Sequence, residues 1–286
     1  IIRFAGEDLD KVIADINSSG YGLTQGLHSR LEDTAAKVYN KIKAGNIYIN
    51  RNTVGAVVGV QPFGGEGLSG TGPKAGGPLY LYRLVNTDAQ PQSKISKKVV
   101  NFSLVDNFVS SLDQLNLTAA QVGELKLLAG RLKEHSPLNE QVDLPGPTGE
   151  RNFMLFAPRG FVGCLATSLY EYCVQVIHAY ATGNQVIMPV DGIANALGSY
   201  LPKTSYYSYD LTAVNLVHAV LISANYGDIA KFKLDLAKRD SLLTPIIAQA
   251  NDGYNLHLLV TERTVSINVT ATGGNVQLMS IDDHVA

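Results

Sequence analysis

The sequence predicts an α/β protein in which strands and helices alternate along the second half of the chain. Three apolar runs have the length of buried strands: FVGCLA, QVIM and VHAVLI. The segments between these runs carry apolar residues at helical spacing, which is typical of a parallel, doubly wound sheet. With 286 residues the chain is long enough for one or two such domains.

The first part of the chain has the same alternation on a smaller scale. Apolar residues at helical spacing predict helices over Asp8–Ser18 and Leu31–Lys43, the second closed by Gly45. Strands are predicted over Leu23–His28 and Asn46–Asn50. A glycine-rich loop follows these elements.

The second part begins after a polar, proline-containing stretch over residues 88–98, which we interpret as a linker. Thr118 and Gln121 form a capping-box pattern for a helix that ends near Glu134, and Gly183 is expected to end another helix. The remaining expectations are a helix over 170–182, a helix over 228–239, a loop over 137–152, and strands over 161–166, 185–188, 217–222, 256–260 and 264–269.

Composition excludes several classes of function. A formal net charge of -2 and a pI of about 6.3 show no excess of positive charge that would attract nucleic acid. Two cysteines in one apolar segment indicate a reducing compartment, so a cytoplasmic location is expected. The chain opens at Ile1 without methionine, and we interpret it as a piece of a longer polypeptide.

The loop contains GxGxxG over Gly65–Gly70, a pattern that also occurs in dinucleotide-binding turns, and Asp88 lies at a suitable distance for a ribose-binding acid. Such a turn needs a strand directly before it and a long helix directly after it. Pro62 precedes the run, and the prolines and glycines of Pro73–Pro78 prevent a helix. Lys74 has no GK[ST] context either, so we interpret the run as a tight loop with close backbone approach.

The segment YINRNTVGAVVGVQPFGGEGLSGTGPKAGGP resembles the C-terminal signature of aldehyde dehydrogenases. It is most similar to pyrroline-5-carboxylate dehydrogenase as it occurs in the bifunctional proline utilization A family. The stretches LPGPTGERNFMLFAPRGFVGCLA and ERTVSINVTATGGNVQLM resemble the C-terminal domain of long members. The resemblance implies the end of a dehydrogenase domain over 1–87, a linker over 88–98, and a Rossmann-like, non-catalytic aldehyde-dehydrogenase-type domain over 99–286.

The resemblance also implies a function. The parent would be a bifunctional enzyme that oxidises proline to glutamate with NAD and FAD, and this part would carry the aldehyde anchor loop and a lid or interface domain. Its expected partners are glutamate semialdehyde, other domains of the same polypeptide and further copies in a homo-oligomer, with the parent cytoplasmic or peripheral to the inner membrane. The alternative is a stand-alone, non-enzymatic binding or regulatory α/β module.

The candidate substrate-binding residues are Gly55, Ala56 and Phe63. In the resemblance, the backbone N–H groups of Gly55 and Ala56 hold the substrate carboxylate, and Phe63 packs on its aliphatic stem. Successive amides without bulky side chains can form an anion-binding nest. The alternative interpretation is that the two residues form a plain turn and that Phe63 belongs to the core.

No residue of this chain is expected to be catalytic, to bind a cofactor or to bind a metal. The family's thiolate nucleophile and general-base glutamate lie upstream of the loop, whereas Cys164 and Cys173 are expected in the core. At the three places where the family contacts NAD, this chain has Thr167–Glu171, Val186–Pro189 and Ser223–Gly227, each of which departs from the family pattern.

The C-terminal stretch Val265–Met279 is the last expectation. Its alternation of apolar and polar residues predicts an edge strand, followed by a turn at Gly273–Asn275. We expect it to dock on the dehydrogenase part of the parent, from its own or a partner subunit, through main-chain hydrogen bonds. The alternative is a final strand of the α/β sheet of the second domain.

Overall fold

The computed structural model describes residues 1–81, 84, 95–250 and 253–270. The helices in these residues are α1 (Leu9–Ser18), α2 (Glu32–Lys41), α3 (Ser103–Ser111), α4 (Ala119–Glu134), α5 (Leu169–Ala181), α6 (Gly192–Asn195) and α7 (Ile229–Ala237). The strands are β1 (Tyr21–Gly22), β2 (Thr24–Leu27), β3 (Asn46–Ile49), β4 (Glu66–Gly67), β5 (Ile95–Lys97), β6 (Glu140–Leu144), β7 (Glu150–Pro158), β8 (Phe161–Leu165), β9 (Gln185–Pro189), β10 (Tyr206–Ser208), β11 (Val217–Ile222), β12 (Ile246–Ala248) and β13 (Val260–Asn268).

The chain divides into two compact units that are not contiguous in sequence. Unit 1 comprises Ile1–Ser96, Gln141–Leu155 and Glu262–Ala286, and unit 2 comprises Lys97–Glu140 and Phe156–Thr261. The first division, between Ser96 and Lys97, lies near the end of the expected linker, of which residues 88–94 lie outside the described residues. The units differ from the contiguous domains that the sequence predicts, because two later segments pair with strands of the first part.

Unit 1 contains a mixed six-stranded sheet in the order β2-β3-β13-β7-β6-β5. Strands β2, β3 and β13 are parallel, whereas β6 and β7 form an antiparallel hairpin. Apolar side chains of α1, α2, β3, β7 and β13 form one core cluster, for example Ile13, Val38, Ile47, Phe153 and Val265. The core of unit 1 is therefore assembled from segments more than two hundred residues apart in sequence.

The expected edge strand at Val265 is wrong, because β13 lies between β3 and β7. Residues 264–267 pair in parallel with residues 46–49. The main-chain pairing with the first part of the chain is thus as expected for these residues, and the five-stranded sheet of unit 2 does not include them. Thr264 and Ser266 give β13 the alternation of polar and apolar residues that is typical of an edge strand. Both residues are nevertheless buried and hydrogen-bonded. The rest of the stretch, residues 271–279, lies outside the described residues.

Unit 2 is the doubly wound sheet that the sequence predicts. Its five strands are all parallel and have the order β10-β9-β8-β11-β12, so the chain runs outward from β8 in one direction and then from β11 in the other. Separate apolar clusters cover its two faces, one including side chains of α3, α4 and α5 and the other including side chains of α7. The fold class of the second half is therefore confirmed.

Local signals predicted several boundaries correctly. The capping box of Thr118 and Gln121 is formed at the start of α4, and Gly183 has a φ of 70° directly after α5. Gly45, in contrast, is not a helix-ending glycine, because α2 ends at Lys41 and Ile42 is already extended. A Cβ on Gly45 would lie 1.8 Å from the Gly64 carbonyl oxygen, so this glycine permits a close backbone approach.

Two further expectations are wrong. Residues 256–259 form a 3₁₀ helix rather than a strand, because the Asn255 side chain accepts a hydrogen bond from the His257 N–H and starts a turn. Residues 137–152 are not a loop, since they include β6 and the start of β7. The short turn between β6 and β7 is rich in proline and glycine. This composition is typical of a loop, and for that reason the sequence did not predict the hairpin.

Candidate substrate-anchoring site

The predicted anchor loop leaves the carboxyl end of β3 and spans residues 52–61. Strand β3 is buried along its whole length, so the loop starts from a fixed support. Gly55 has a φ of 78°, and a Cβ at this position would meet nothing within 4 Å. Its backbone conformation favours glycine although the space beside it is open.

The N–H groups of Gly55 and Ala56 are available for a ligand. Among the described residues, neither group donates a hydrogen bond to a protein acceptor. The Tyr48 hydroxyl donates to the Gly55 carbonyl oxygen at 3.4 Å, which orients this peptide from the opposite side. Two unpartnered, accessible amides can bind a carboxylate.

Phe63 is not a core residue. The residue is 36% exposed, while its backbone pairs with Ala75 through two hydrogen bonds. The Asn46 side chain holds both neighbours of Phe63: it donates to the Pro62 carbonyl oxygen at 2.9 Å and accepts from the Gly64 N–H at 3.1 Å. The ring is thus exposed on a rigidly held backbone.

Strand β3 brings the two parts of the candidate site to one side. Asn46 holds the segment around Phe63, and Tyr48 contacts Gly55. Residues two apart in a strand lie on the same face, about 7 Å from each other. Side chains of the same face of β3 therefore hold the segment around Phe63 and the carbonyl oxygen of Gly55.

Lys74 is a residue that sequence reasoning missed. Its buried ammonium donates to the Gly45 carbonyl oxygen, Asn46 Oδ1 and the Gly64 carbonyl oxygen at 2.6, 2.8 and 2.7 Å. Burial lowers the pKa of Lys74 to about 7, although the carboxylates of Glu262 and Glu66 act in the opposite direction. A single lysine in a glycine-rich loop carries no sequence signal for this role.

The GxGxxG run is loop structure, as predicted. Glu66 and Gly67 form β4, which pairs antiparallel with β1, and no α-helix follows in the described residues up to 81. A Cβ on Gly67 would lie 2.4 Å from the Gly20 carbonyl oxygen. Glu66 also forms a buried ion pair with Arg263 of β13, with 3.0 Å between Nη2 and Oε1.

The two cysteines are buried in unit 2, as predicted. Burial raises the pKa of the Cys164 thiol, and it raises that of Cys173 to about 12. Both therefore stay protonated near neutral pH, and neither has the depressed pKa of a reactive nucleophile.

Within the described ranges, no cluster of three or more histidine, cysteine or carboxylate side chains could hold a metal ion. The same residues contain no helix that is long and apolar enough to cross a bilayer.

The first part of this chain is similar to proteins of the aldehyde dehydrogenase class. Residues 1–89 match the model described as "Aldehyde dehydrogenase family". Nearly the whole chain is similar to a particular member of this class, the "Bifunctional protein PutA" of Escherichia coli (strain K12). The two are 38% identical over 296 residues, which cover 98% of this chain and 22% of that protein.

Two further proteins are similar to this chain. The chain is 47% identical over 75 residues to "1-pyrroline-5-carboxylate dehydrogenase" of Bacillus thuringiensis (strain Al Hakam), covering 26% of this chain and 15% of that protein. Among solved structures, Proline Utilization A from Corynebacterium freiburgense has the same fold, with a TM-score of 0.59 and 21% identity over 91% of this chain and 24% of that chain. This chain therefore spans about a quarter or less of the length of these three proteins.

Aldehyde dehydrogenases use NAD, and unit 2 has the type of sheet on which dinucleotides bind in other proteins. In a doubly wound sheet a dinucleotide binds where the strand order reverses, here between β8 and β11, with phosphate at a helix N-terminus. In unit 2 the Glu171 carboxylate already lies there and accepts from the backbone N–H groups of Thr167 and Ser168 at 2.9 and 3.1 Å. Burial alone would raise the pKa of Glu171, but these hydrogen bonds hold it below its usual value. A negative charge at this position would repel a pyrophosphate bound there.

Proposed function

We propose that this chain is the C-terminal part of a bifunctional enzyme that oxidises proline to glutamate. In this proposal its first part completes the site that oxidises glutamate semialdehyde. The observation that carries the proposal is the pair of N–H groups of Gly55 and Ala56, which have no partner among the described residues, in a loop that contacts the same strand as the segment of the exposed Phe63. Similarity to PutA over 98% of the chain supports it.

The substrate's chemistry suits this arrangement. Glutamate semialdehyde has a carboxylate at one end, an aldehyde at the other and an aliphatic stem between them. The carboxylate would accept hydrogen bonds from Gly55 and Ala56, and the stem would pack on Phe63. Holding the substrate at both points would direct the aldehyde away from this chain toward the catalytic groups.

Those catalytic groups are proposed to lie elsewhere in the parent. The nucleophile, the general base, NAD and the FAD of the proline-oxidising step would be held by residues outside this chain, so the chain alone is proposed to be inactive. Unit 2 would act as a lid or interface element that encloses the intermediate. We further propose a cytoplasmic homo-oligomer.

Replacing Ala56 with proline in the full-length protein tests the anchor role. Proline has no N–H, and it disfavours the left-handed conformation of the preceding Gly55. We expect Ala56→Pro to raise the KM for glutamate semialdehyde by about tenfold or more, with the KM for NAD unchanged, since a hydrogen bond to a charged group is lost. Steady-state kinetics with each substrate varied would measure this.

Ala56→Gly is the matched control, because it removes the methyl group and keeps the N–H. Its KM for the semialdehyde should stay within about twofold of the wild-type value. Equal increases in both Michaelis constants for Ala56→Pro would contradict the anchor role.

We also expect that the chain itself does not bind NAD, for the electrostatic reason given for Glu171. Calorimetric titration with millimolar NAD should give no saturable heat, and the full-length protein serves as the positive control. A dissociation constant below ~100 μM, equivalent to about 5.5 kcal/mol, would contradict this expectation.

A further inference from the structure

We infer that Glu150 is a positioning residue for the anchor loop, an inference that rests on the proposed function. Glu150 is the first residue of β7, in the segment that the sequence assigns to the second domain. The structure places it in unit 1, where its carboxylate holds the side chains at both ends of the loop. Those side chains belong to Arg51 and Gln61.

The contact at the end of the loop passes through Gln61, whose side chain is buried. Gln61 Nε2 donates to Glu150 Oε1 at 2.6 Å. Gln61 Oε1 accepts from the Val57 N–H at 3.0 Å, and the Gln61 N–H donates to the Val57 carbonyl oxygen at 2.8 Å. The turn directly after Ala56 is therefore closed by an amide whose orientation Glu150 determines.

The contact at the start of the loop passes through Arg51. Its Nη1 forms an ion pair with Glu150 Oε2 and donates to Ser266 Oγ at 2.7 Å. The guanidinium lies 5.3 Å from the centre of the Tyr48 ring, whose hydroxyl contacts the Gly55 carbonyl oxygen. The same carboxylate is thus connected to both sides of the Gly55–Ala56 pair.

These contacts require a carboxylate. Both oxygens accept: Oε1 from Gln61 and Asn152, and Oε2 from Arg51. A glutamine at position 150 would have one oxygen, and keeping it toward Arg51 would turn its NH₂ toward the NH₂ groups of Gln61 and Asn152. If Gln61 then flipped, its NH₂ would face the Val57 N–H, so no arrangement satisfies every group.

The role differs from that of a lid. A lid affects escape of an intermediate, whereas this carboxylate would set the shape of the carboxylate-binding loop. Through Glu150, the hairpin of β6 and β7 would thereby influence how tightly the anchor loop binds the semialdehyde. A loosened anchor loop loses substrate binding without touching the reacting atoms.

The test is Glu150→Gln in the full-length protein. We expect the KM for glutamate semialdehyde to rise about tenfold, while kcat and the KM for NAD change by less than about twofold. Asp143→Asn is the matched control, because Asp143 is an exposed acid on the same hairpin whose side chain bonds only to Gln141 among the described residues. This control should leave all three constants unchanged.

The double variant Gln61→Glu/Glu150→Gln separates positioning from general damage. The carboxylate introduced at position 61 would accept from both the Val57 N–H and the NH₂ of the new amide at position 150. The oxygen of that amide would still face Arg51. We expect the double variant to recover most of the lost affinity for the semialdehyde, which a merely destabilising change would not do.

Two outcomes would overturn the inference. If Ala56→Pro raises the KM for the semialdehyde but Glu150→Gln leaves it within about twofold of wild type, the positioning role is wrong and the anchor role stands. If the swapped double variant is as impaired as the sum of its single variants, Glu150 acts only on stability. If Ala56→Pro has no effect either, the proposed function itself fails.

Discussion

Arg263→Met is expected to lower the free energy of unfolding of this chain by about 3–5 kcal/mol, the usual cost of breaking a buried ion pair from one side. The Arg263 and Glu66 side chains are 9% and 8% exposed, and their charged atoms lie 3.0 Å apart. Removing the arginine would leave the Glu66 carboxylate buried without its cation. The pair also connects β4 to β13, so its loss would loosen the glycine-rich loop.

Urea unfolding of the wild type and of Arg263→Met, followed by far-UV circular dichroism, would measure the difference in their free energies of unfolding. The double variant Glu66→Leu/Arg263→Met should be more stable than Arg263→Met alone, because no unpaired charge remains buried. Lys126→Met is the surface control: its partner Asp113 is exposed, and the change should cost less than about 1 kcal/mol. Equal losses for Arg263→Met and Lys126→Met would contradict the prediction.

Lys74 is expected to make the stability of the chain depend on pH above neutrality. Burial lowers its pKa from 10.5 to about 7 in the folded chain. Between pH 7 and 9 the folded chain releases this proton, whereas the unfolded chain still holds it. The free energy of unfolding should therefore rise with pH by up to about 1.4 kcal/mol per unit, and below pH 7 the contribution of Lys74 should be flat.

The measurement is the difference in unfolding free energy between the wild type and Lys74→Met across pH 6 to 9. The difference is needed because buried cysteines and tyrosines act in the opposite direction at higher pH, as burial raises their pKa values. A constant difference across this range would mean that the three oxygens around the Lys74 ammonium keep it charged.

The sequence by itself determined the elements whose signals are local. The capping box at Thr118, the glycine after α5 and the apolar runs of β8, β9 and β11 each depend on neighbours within a few residues. These signals were sufficient for the doubly wound sheet of unit 2. The run of residues around Gly55, Ala56 and Phe63 predicts the candidate site, because its resemblance extends over many consecutive positions.

Only the tertiary structure decided which segments complete the first unit. Strand β13 was misread as an edge because Thr264 and Ser266 are polar, yet each is buried beside a partner far away in sequence, the Pro62 carbonyl oxygen and Arg51. A polar residue can be buried wherever a hydrogen-bonding partner meets it, and sequence periodicity carries no record of that partner. The same reason hid the roles of Lys74 and Glu150, whose partners become neighbours only when distant strands pair.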